Sequence, residues 1–307
     1  MTSFSTKPAL GLLSLALIFG GATAAHSQEF ASSVVGYSSL STDPLYSNPN
    51  AALGQPTTLA DDGYGDVYHD SSVYSAYGTD PQKNNLLVSL GNTGAGSLTV
   101  KFDQTAITHS DSHWYGEDLI VYSNQFFVAD NYALTNSDMT QIHVTDGSIF
   151  GALPTVSVSA DDINFVTLTP TSSLLFPENP YKWVGVSAQN PSGWDDSSLQ
   201  DFSKPVDPAL NAANFAGQSA AFVANTLYDG SAGGTAFSLA GTQFADTGIQ
   251  YIRFTGLGTI DGVSRVSDAP NANPVPEASS AVSLSILAGL GLGFIIIARR
   301  SRRASAL

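Results

Sequence analysis

The chain has 307 residues and a formal net charge of −15. Of its 11 Lys and Arg, four lie after Ala298 and one is Lys7, so six basic side chains face all 26 Asp and Glu between Glu29 and Glu277. That excess repels nucleic acid and anionic lipid and attracts divalent cations, while the absence of Cys excludes disulfides and thiol chemistry.

Lys7 is the only charge before Glu29, and an apolar run from Ala9 to Phe19 is followed by small residues at Ala22, Ala24, Ala25 and Ser27. A short apolar core behind one positive charge, closed by small residues, predicts a cleavable secretory signal over residues 1–27. Cleavage after Ala24 and cleavage after Ser27 both fit this pattern. Residues 28–85 are rich in Ser, Tyr, Asn, Asp, Pro and Gly, and read as extended loop with a short strand at Val34–Tyr37.

Residues 86–267 carry the signals of an all-β domain. Leu86, Val88 and Leu90 alternate with other residues, as do Leu98, Val100 and Phe102, across the Gly-rich break at 92–96. Two runs of period two about such a break predict a hairpin with one buried face. Asp118–Tyr122 is apolar on both faces, as a central strand requires. Thr155–Ala160 and Asn164–Thr169 flank Asp161-Asp162-Ile163 and predict a second hairpin, with Val156, Val158 and Phe165 inward. The proline-punctuated stretch from Pro170 to Asn214 reads as a long irregular region, of the kind that usually carries function. One short helix is expected within Ala216–Leu227, ended by Asp229-Gly230, then closing strands at Phe237–Leu239, Gln250–Phe254 and Thr259–Val266. Short strands, tight turns and little helix predict an antiparallel β-sandwich of jelly-roll-like form.

Residues 268–277 hold three prolines and no apolar period, and read as a tether. No charge occurs from Ala278 to Ala298, and a helix of that length reaches roughly 30 Å, the thickness of a bilayer's hydrocarbon core. Its ten Val, Leu, Ile and Phe favour insertion by roughly 3 to 6 kcal/mol. Arg299, Arg300, Arg302 and Arg303 follow at once, in residues 299–307. Clustered Arg beside a span stays cytoplasmic, so the domain before Ala278 is expected on the outer face of the membrane.

Pro276-Glu277-Ala278, a single short span and the Arg cluster, in that order, resemble the PEP-CTERM sorting signal of bacterial surface proteins, with Ala278 where the motif has a second Pro. The resemblance implies an exosortase-type membrane protease and its secretion machinery as partners. It also implies passage through the inner membrane to the cell surface or extracellular matrix. Gly96-Ser-Leu-Thr-Val-Lys-Phe, Asp118-Leu-Ile-Val-Tyr-Ser-Asn, Val156-Ser-Val-Ser-Ala-Asp-Asp and Ile249-Gln-Tyr-Ile-Arg-Phe are similar to a family of bacterial surface proteins, many with the same tail. That resemblance implies a sandwich in the style of discoidin-like and carbohydrate-binding jelly rolls, and no established activity.

The densest set of metal-ligand types is His109, His113, Glu117 and Asp118, but two histidines four apart meet on a helix face, and this stretch reads as strand and loop. Asp61, Asp62, Asp66 and Asp70, and likewise Asp195, Asp196 and Asp201, are acidic groups of the type that binds calcium, without EF-hand spacing. No Gly-x-Ser-x-Gly, phosphate-binding loop or His-Glu-x-x-His occurs, so a non-enzymatic role is expected. Trp114 with Tyr115, Trp183 and Trp194 fall in or beside expected loops, where flat rings stack on sugar faces or else fill a core. The residues 64–77 carry four tyrosines suited to covering a sheet edge. The combined reading is an exported, surface-sorted protein with a structural or adhesive sandwich. The alternatives are a carbohydrate-binding module, calcium-assisted or not, and then a polysaccharide hydrolase built on two of the many carboxylates.

Overall fold

The computed structural model describes residues 30–39, 44–61, 67–75, 86–91, 96–103, 106–131 and 138–270. The expected leader with Ala24 and Ser27, the motif Pro276-Glu277-Ala278, the span and the four arginines lie outside these residues, as do Asp62, Tyr64, Asp66 and Tyr77. Among the described residues, no helix is long and apolar enough to cross a membrane.

The described chain is mostly β. Its strands are β1 (Ser33–Ser38), β2 (Leu59–Asp61), β3 (Val67–His69), β4 (Val88–Ser89), β5 (Gly96–Lys101) and β6 (Leu119–Tyr122). Then come β7 (Phe126–Ala129), β8 (Val144–Phe150), β9 (Thr155–Ser159), β10 (Val166–Thr167), β11 (Tyr181–Trp183) and β12 (Trp194–Leu199). The last are β13 (Thr235–Phe237), β14 (Tyr251–Gly256), β15 (Thr259–Ile260) and β16 (Gly262–Arg265). One sheet runs β1-β5-β14-β9-β10 and another β13-β6-β16, and every pairing in both is antiparallel.

Alternation along the strands supplies the core. Leu98 and Val100 of β5, Ile252 and Phe254 of β14 and Val156 and Val158 of β9 meet Leu119 and Val121 of β6, Phe237 of β13 and Val263 of β16 in one apolar cluster. Each such side chain contributes about 1.5–3 kcal/mol on leaving water. The other face of β6 is buried too, with Ile120 and Tyr122 against Phe202, Ala232, Ala236 and Val266. Its two-sided apolar pattern therefore corresponds to a strand flanked on both sides.

The first expected hairpin does not form. β4 pairs with β15, and both edges of β5 are taken by β1 and β14. The two segments touch without sharing a ladder: a Cβ on Gly96 would lie 1.7 Å from the Leu90 carbonyl oxygen, so only glycine fits there. Period two assigns faces and says nothing about partners. The second expected hairpin does form, with Val166 opposite Val158 and Thr167 opposite Ser157. Asp161 shapes its turn by accepting from the amides of Ile163 and Asn164 and from Ser159 Oγ. Phe165, expected inward, is half-buried under the Arg253 guanidinium, 3.7 Å from its ring centroid. Arg253 also donates to Thr99 Oγ1 at 3.1 Å, so a long cation covers this outer face of the sheet.

The stretch from Pro170 to Asn214, expected to be irregular, contains the β11–β12 pair. Around it lies a second apolar cluster that includes Phe127, Val144, Phe176, Phe215 and Tyr228. α1 (Ala212–Phe215) and α2 (Ala220–Phe222) cover that cluster, and α2 continues into a π turn, Val223–Leu227. Ser219 caps α2 by accepting from the Phe222 amide, and the chain leaves through Asp229 and Gly230, both at positive φ.

Candidate functional site

Asp118 stands at the entry to β6 with its side chain fully shielded from solvent. The sheet fixes its backbone: its amide donates to Phe237 O, and its carbonyl accepts from Val266 N. The carboxylate then gathers the preceding loop. Oδ1 accepts from His113 Nδ1 at 2.9 Å and Ser110 N at 3.2 Å, and Oδ2 accepts from His109 Nδ1 at 3.0 Å and Leu239 N at 2.6 Å. Burial alone would raise the Asp118 pKa, but the bonds from His113, Leu239 and His109 outweigh it and hold the carboxyl below its usual range. His109 also faces Asp111 through Nε2 at 3.3 Å. Burial opposes its charge, yet the two carboxylates raise its pKa above that of an ordinary imidazole. The pair of histidines is thus engaged with Asp118 through Nδ1. Among the described residues, no group of three or more His, Asp or Glu is arranged to hold a metal ion.

This knot presents an aromatic turn. Residues Trp114–Gly116 form one 3₁₀ turn in which the Gly116 amide donates to His113 O and the Glu117 amide to Trp114 O. Trp114 N donates to Ser267 O and Ala269 N to Ser112 O, stitching the loop to the chain beyond β16. Tyr115 lies at φ 58°, ψ 14°, a left-handed conformation that a bulky side chain adopts only when its surroundings impose it. The residue is 46% exposed, with its ring centroid 5.9 Å from that of Trp114. Behind Trp114, Lys204 Nζ sits 4.5 Å from the ring centroid and pairs with Asp229 Oδ2 at 2.9 Å. Burial, then Asp207 and Asp229, raise the Tyr115 pKa, so its hydroxyl stays protonated and is a donor with acidic neighbours. A flat exposed ring with carboxylates beside it can stack on one face of a sugar and accept hydrogen bonds from its hydroxyls.

The other two tryptophans are not available to a ligand. Trp183 is 6% and Trp194 3% exposed, packed edge to face at 5.2 Å as a cross-strand pair of β11 and β12. Asn225 clamps Trp183 by accepting from its amide and donating to its carbonyl, and a Cβ on Gly193 would collide with the Trp183 ring at 2.1 Å. Their place in the sequence next to prolines and glycines resembled a loop, whereas they fill the second core.

Two members of the second expected acidic group are spent on turns. Asp195 and Asp201 each accept from the amide and hydroxyl of the serine two residues on, and Asp196 meets His69 Nε2 at 2.5 Å. Of the tyrosine-rich stretch, Tyr68 packs on a small cluster with Tyr46 and Leu87, and Tyr74 on the second core. Asp70 is buried, together with two carboxyl groups the sequence did not single out, Glu178 and Asp261. The signal for Glu178 was a lone acid between Pro177 and Pro180, directly after the apolar run Leu174–Phe176. Comparison with protein families, with curated proteins and with solved structures finds no match to this chain.

Proposed function

We propose that this chain is an exported, surface-sorted protein whose antiparallel β-sandwich, jelly-roll-like in form, adheres to extracellular polysaccharide through the Trp114–Tyr115 turn. The observation that carries the reading is Tyr115, held exposed at φ 58° on a loop tied down by a buried carboxylate. A strained backbone under an exposed aromatic ring is the signature of a contact surface fixed in advance of its ligand. The apolar core shared by the two sheets supports the sandwich form, and the role is one of binding, without turnover.

Affinity electrophoresis of the purified protein through gels containing neutral or acidic polysaccharide tests the contact. Tyr115→Ala is expected to weaken retention about tenfold, equivalent to about 1.4 kcal/mol, while Tyr115→Gly loses retention with the backbone strain relieved. Unchanged retention in both variants overturns the assignment. Sorting is tested in the native host. The pair Pro276→Ala and Glu277→Ala is expected to trap the precursor in the inner membrane, as the likeness to an exosortase substrate requires, and the same surface yield as wild type overturns that part.

A further inference from the structure

A polar cleft of about 290 Å³ opens where the β11–β12 pair meets the turn at Asp229-Gly230. Lys182 of β11 and Asp195 and Ser198 of β12 line it, together with Gln200, Asp201 and Gly230. Tyr181, Trp183 and Trp194 are buried in the second core, so the alternating residues Lys182 and Asp195 turn to the outer face of the pair. The Asp201 amide donates to Gly230 O and the Ala232 amide to Asp201 O, both at 2.9 Å, which holds the two sides of the cleft together. A Cβ on Gly230 would meet no atom within 4 Å, so that side faces open space.

The lining suits hydroxyl groups. Gln200 is 6% exposed, and its Nε2 donates to Asn179 O at 2.8 Å and Tyr181 O at 3.3 Å, while its Oε1 is buried with no hydrogen-bond partner. A buried acceptor without a donor is costly, and a hydroxyl entering the cleft supplies one. Asp195 and Asp201 each use Oδ1 for the serine two residues on, and Oδ2 takes no part in those bonds. Lys182 adds a cationic donor, and Leu199, 39% exposed, adds an apolar surface for the C–H face of a sugar. Two carboxylates against one lysine leave the lining acidic, so a uronate or sulfate is repelled and a neutral sugar admitted.

Short paths join the cleft to the aromatic turn. Asp201 Oδ1 accepts from Ser203 Oγ at 2.6 Å, Ser203 O accepts from Ser267 N, and Ser267 O accepts from Trp114 N. Gly230 follows Asp229, whose Oδ2 meets Lys204 Nζ at 2.9 Å, and that ammonium lies 4.5 Å from the Trp114 ring centroid. We propose that the cleft is a second sugar subsite, which takes one residue of the same neutral polysaccharide that Tyr115 contacts. The inference rests on the polysaccharide reading of Tyr115 and narrows it to neutral polymers. Two weak contacts on one polymer reinforce each other, because the first raises the effective concentration of sugar at the second.

The test is affinity electrophoresis of the purified full chain through gels containing hydroxyethylcellulose, dextran or galactomannan, with alginate as the acidic polymer. The wild type is expected to be retarded by at least one neutral gel and not by alginate. Ser198→Trp, which fills the cleft from an exposed position, is expected to weaken that retention about tenfold, and Lys182→Ala about threefold, both with unchanged melting. Ser198→Trp combined with Tyr115→Ala is expected to lose more than either alone. If Ser198→Trp does not fold, Lys182→Ala decides. Full retention of the folded cleft variants beside weakened Tyr115→Ala overturns the subsite and leaves the Tyr115 reading standing. Weakened cleft variants beside unchanged Tyr115→Ala overturn the shared polymer, and retention by alginate overturns the neutral class. A wild type that no neutral gel retards overturns both the subsite and the reading on which it rests.

Discussion

Replacing Asp118 with alanine is expected to destabilise the protein by about 3–5 kcal/mol, the range for breaking a buried, fully engaged ion pair. The loss has a geometric origin. Removal of one carboxylate strands His109 Nδ1, His113 Nδ1 and the amides of Ser110 and Leu239, all of which it accepts from. At about 2–4 °C per kcal/mol for a domain of this size, the melting temperature falls by about 10 °C. Asp118→Asn retains one acceptor oxygen and is expected to recover part of the loss, which distinguishes lost hydrogen bonding from lost shape.

The same knot imposes a pH profile. The Asp118 pKa is lowered in the folded protein, so its contribution is present above the ordinary carboxylate range near 4 and is lost as pH falls through the depressed value. The His109 pKa is raised, so its contribution is complete below about 6.5 and is lost as pH rises through the elevated value. Stability from this site is therefore greatest between these limits. Urea denaturation across a pH series should show both flanks in the wild type and flatter flanks in Asp118→Asn. Identical profiles would show that Asp118 is not the centre of the knot.

Trp194→Ala is expected to cost about 3–5 kcal/mol of stability, as deletion of a large core aromatic does, while leaving polysaccharide retention of the folded fraction unchanged. Trp194 loses its edge-to-face contact with Trp183 and its packing near His69, whose ring centroid lies 6.2 Å away. The platform is unaffected because Trp114 packs on the cluster of Tyr122 and Phe202, whereas Trp194 belongs to the second core. Calorimetry and affinity electrophoresis on one preparation separate the two effects. A variant with normal melting and lost retention would restore Trp194 to a binding role and displace Tyr115 from it.

Much of the fold was legible where the information is local. The two apolar faces of Leu119–Tyr122 marked a flanked strand, the Asp161 turn marked the β9–β10 hairpin, and Asp229-Gly230 marked the end of the helix expected within Ala216–Leu227, while α1 lies before that range in the stretch expected to be irregular. Failure came where an outcome depends on what arrives from elsewhere in the chain. Leu86–Leu90 and Leu98–Phe102 alternate as hairpin arms do, yet β5 is claimed by β1 and β14. Phe165 has the character of a core residue, and a cation from β14 covers it on the sheet's outer face. Trp183 and Trp194 stand among prolines and glycines as loop residues do, and Asn225 and the second core enclose them.

The candidate site divides along the same line. Trp114, Tyr115 and the cluster from His109 to Asp118 were visible as residue types, but their roles were not. Asp118 becomes an anchor because Leu239 brings its amide to 2.6 Å on the carboxylate that His109, His113 and Ser110 also reach, and Asp261 is held by Thr57 from the other end of the domain.

By itself the amino-acid sequence determined the charge excess, the lack of disulfides, the predominance of β-structure and which side of most strands is apolar. Each of these follows from covalent composition and a two-residue repeat within a single segment. Tertiary structure alone decided which strands pair, which tryptophans stay wet and which carboxyls lose their water. Pairing and desolvation are set by side chains up to two hundred positions away, and no local period carries that distance.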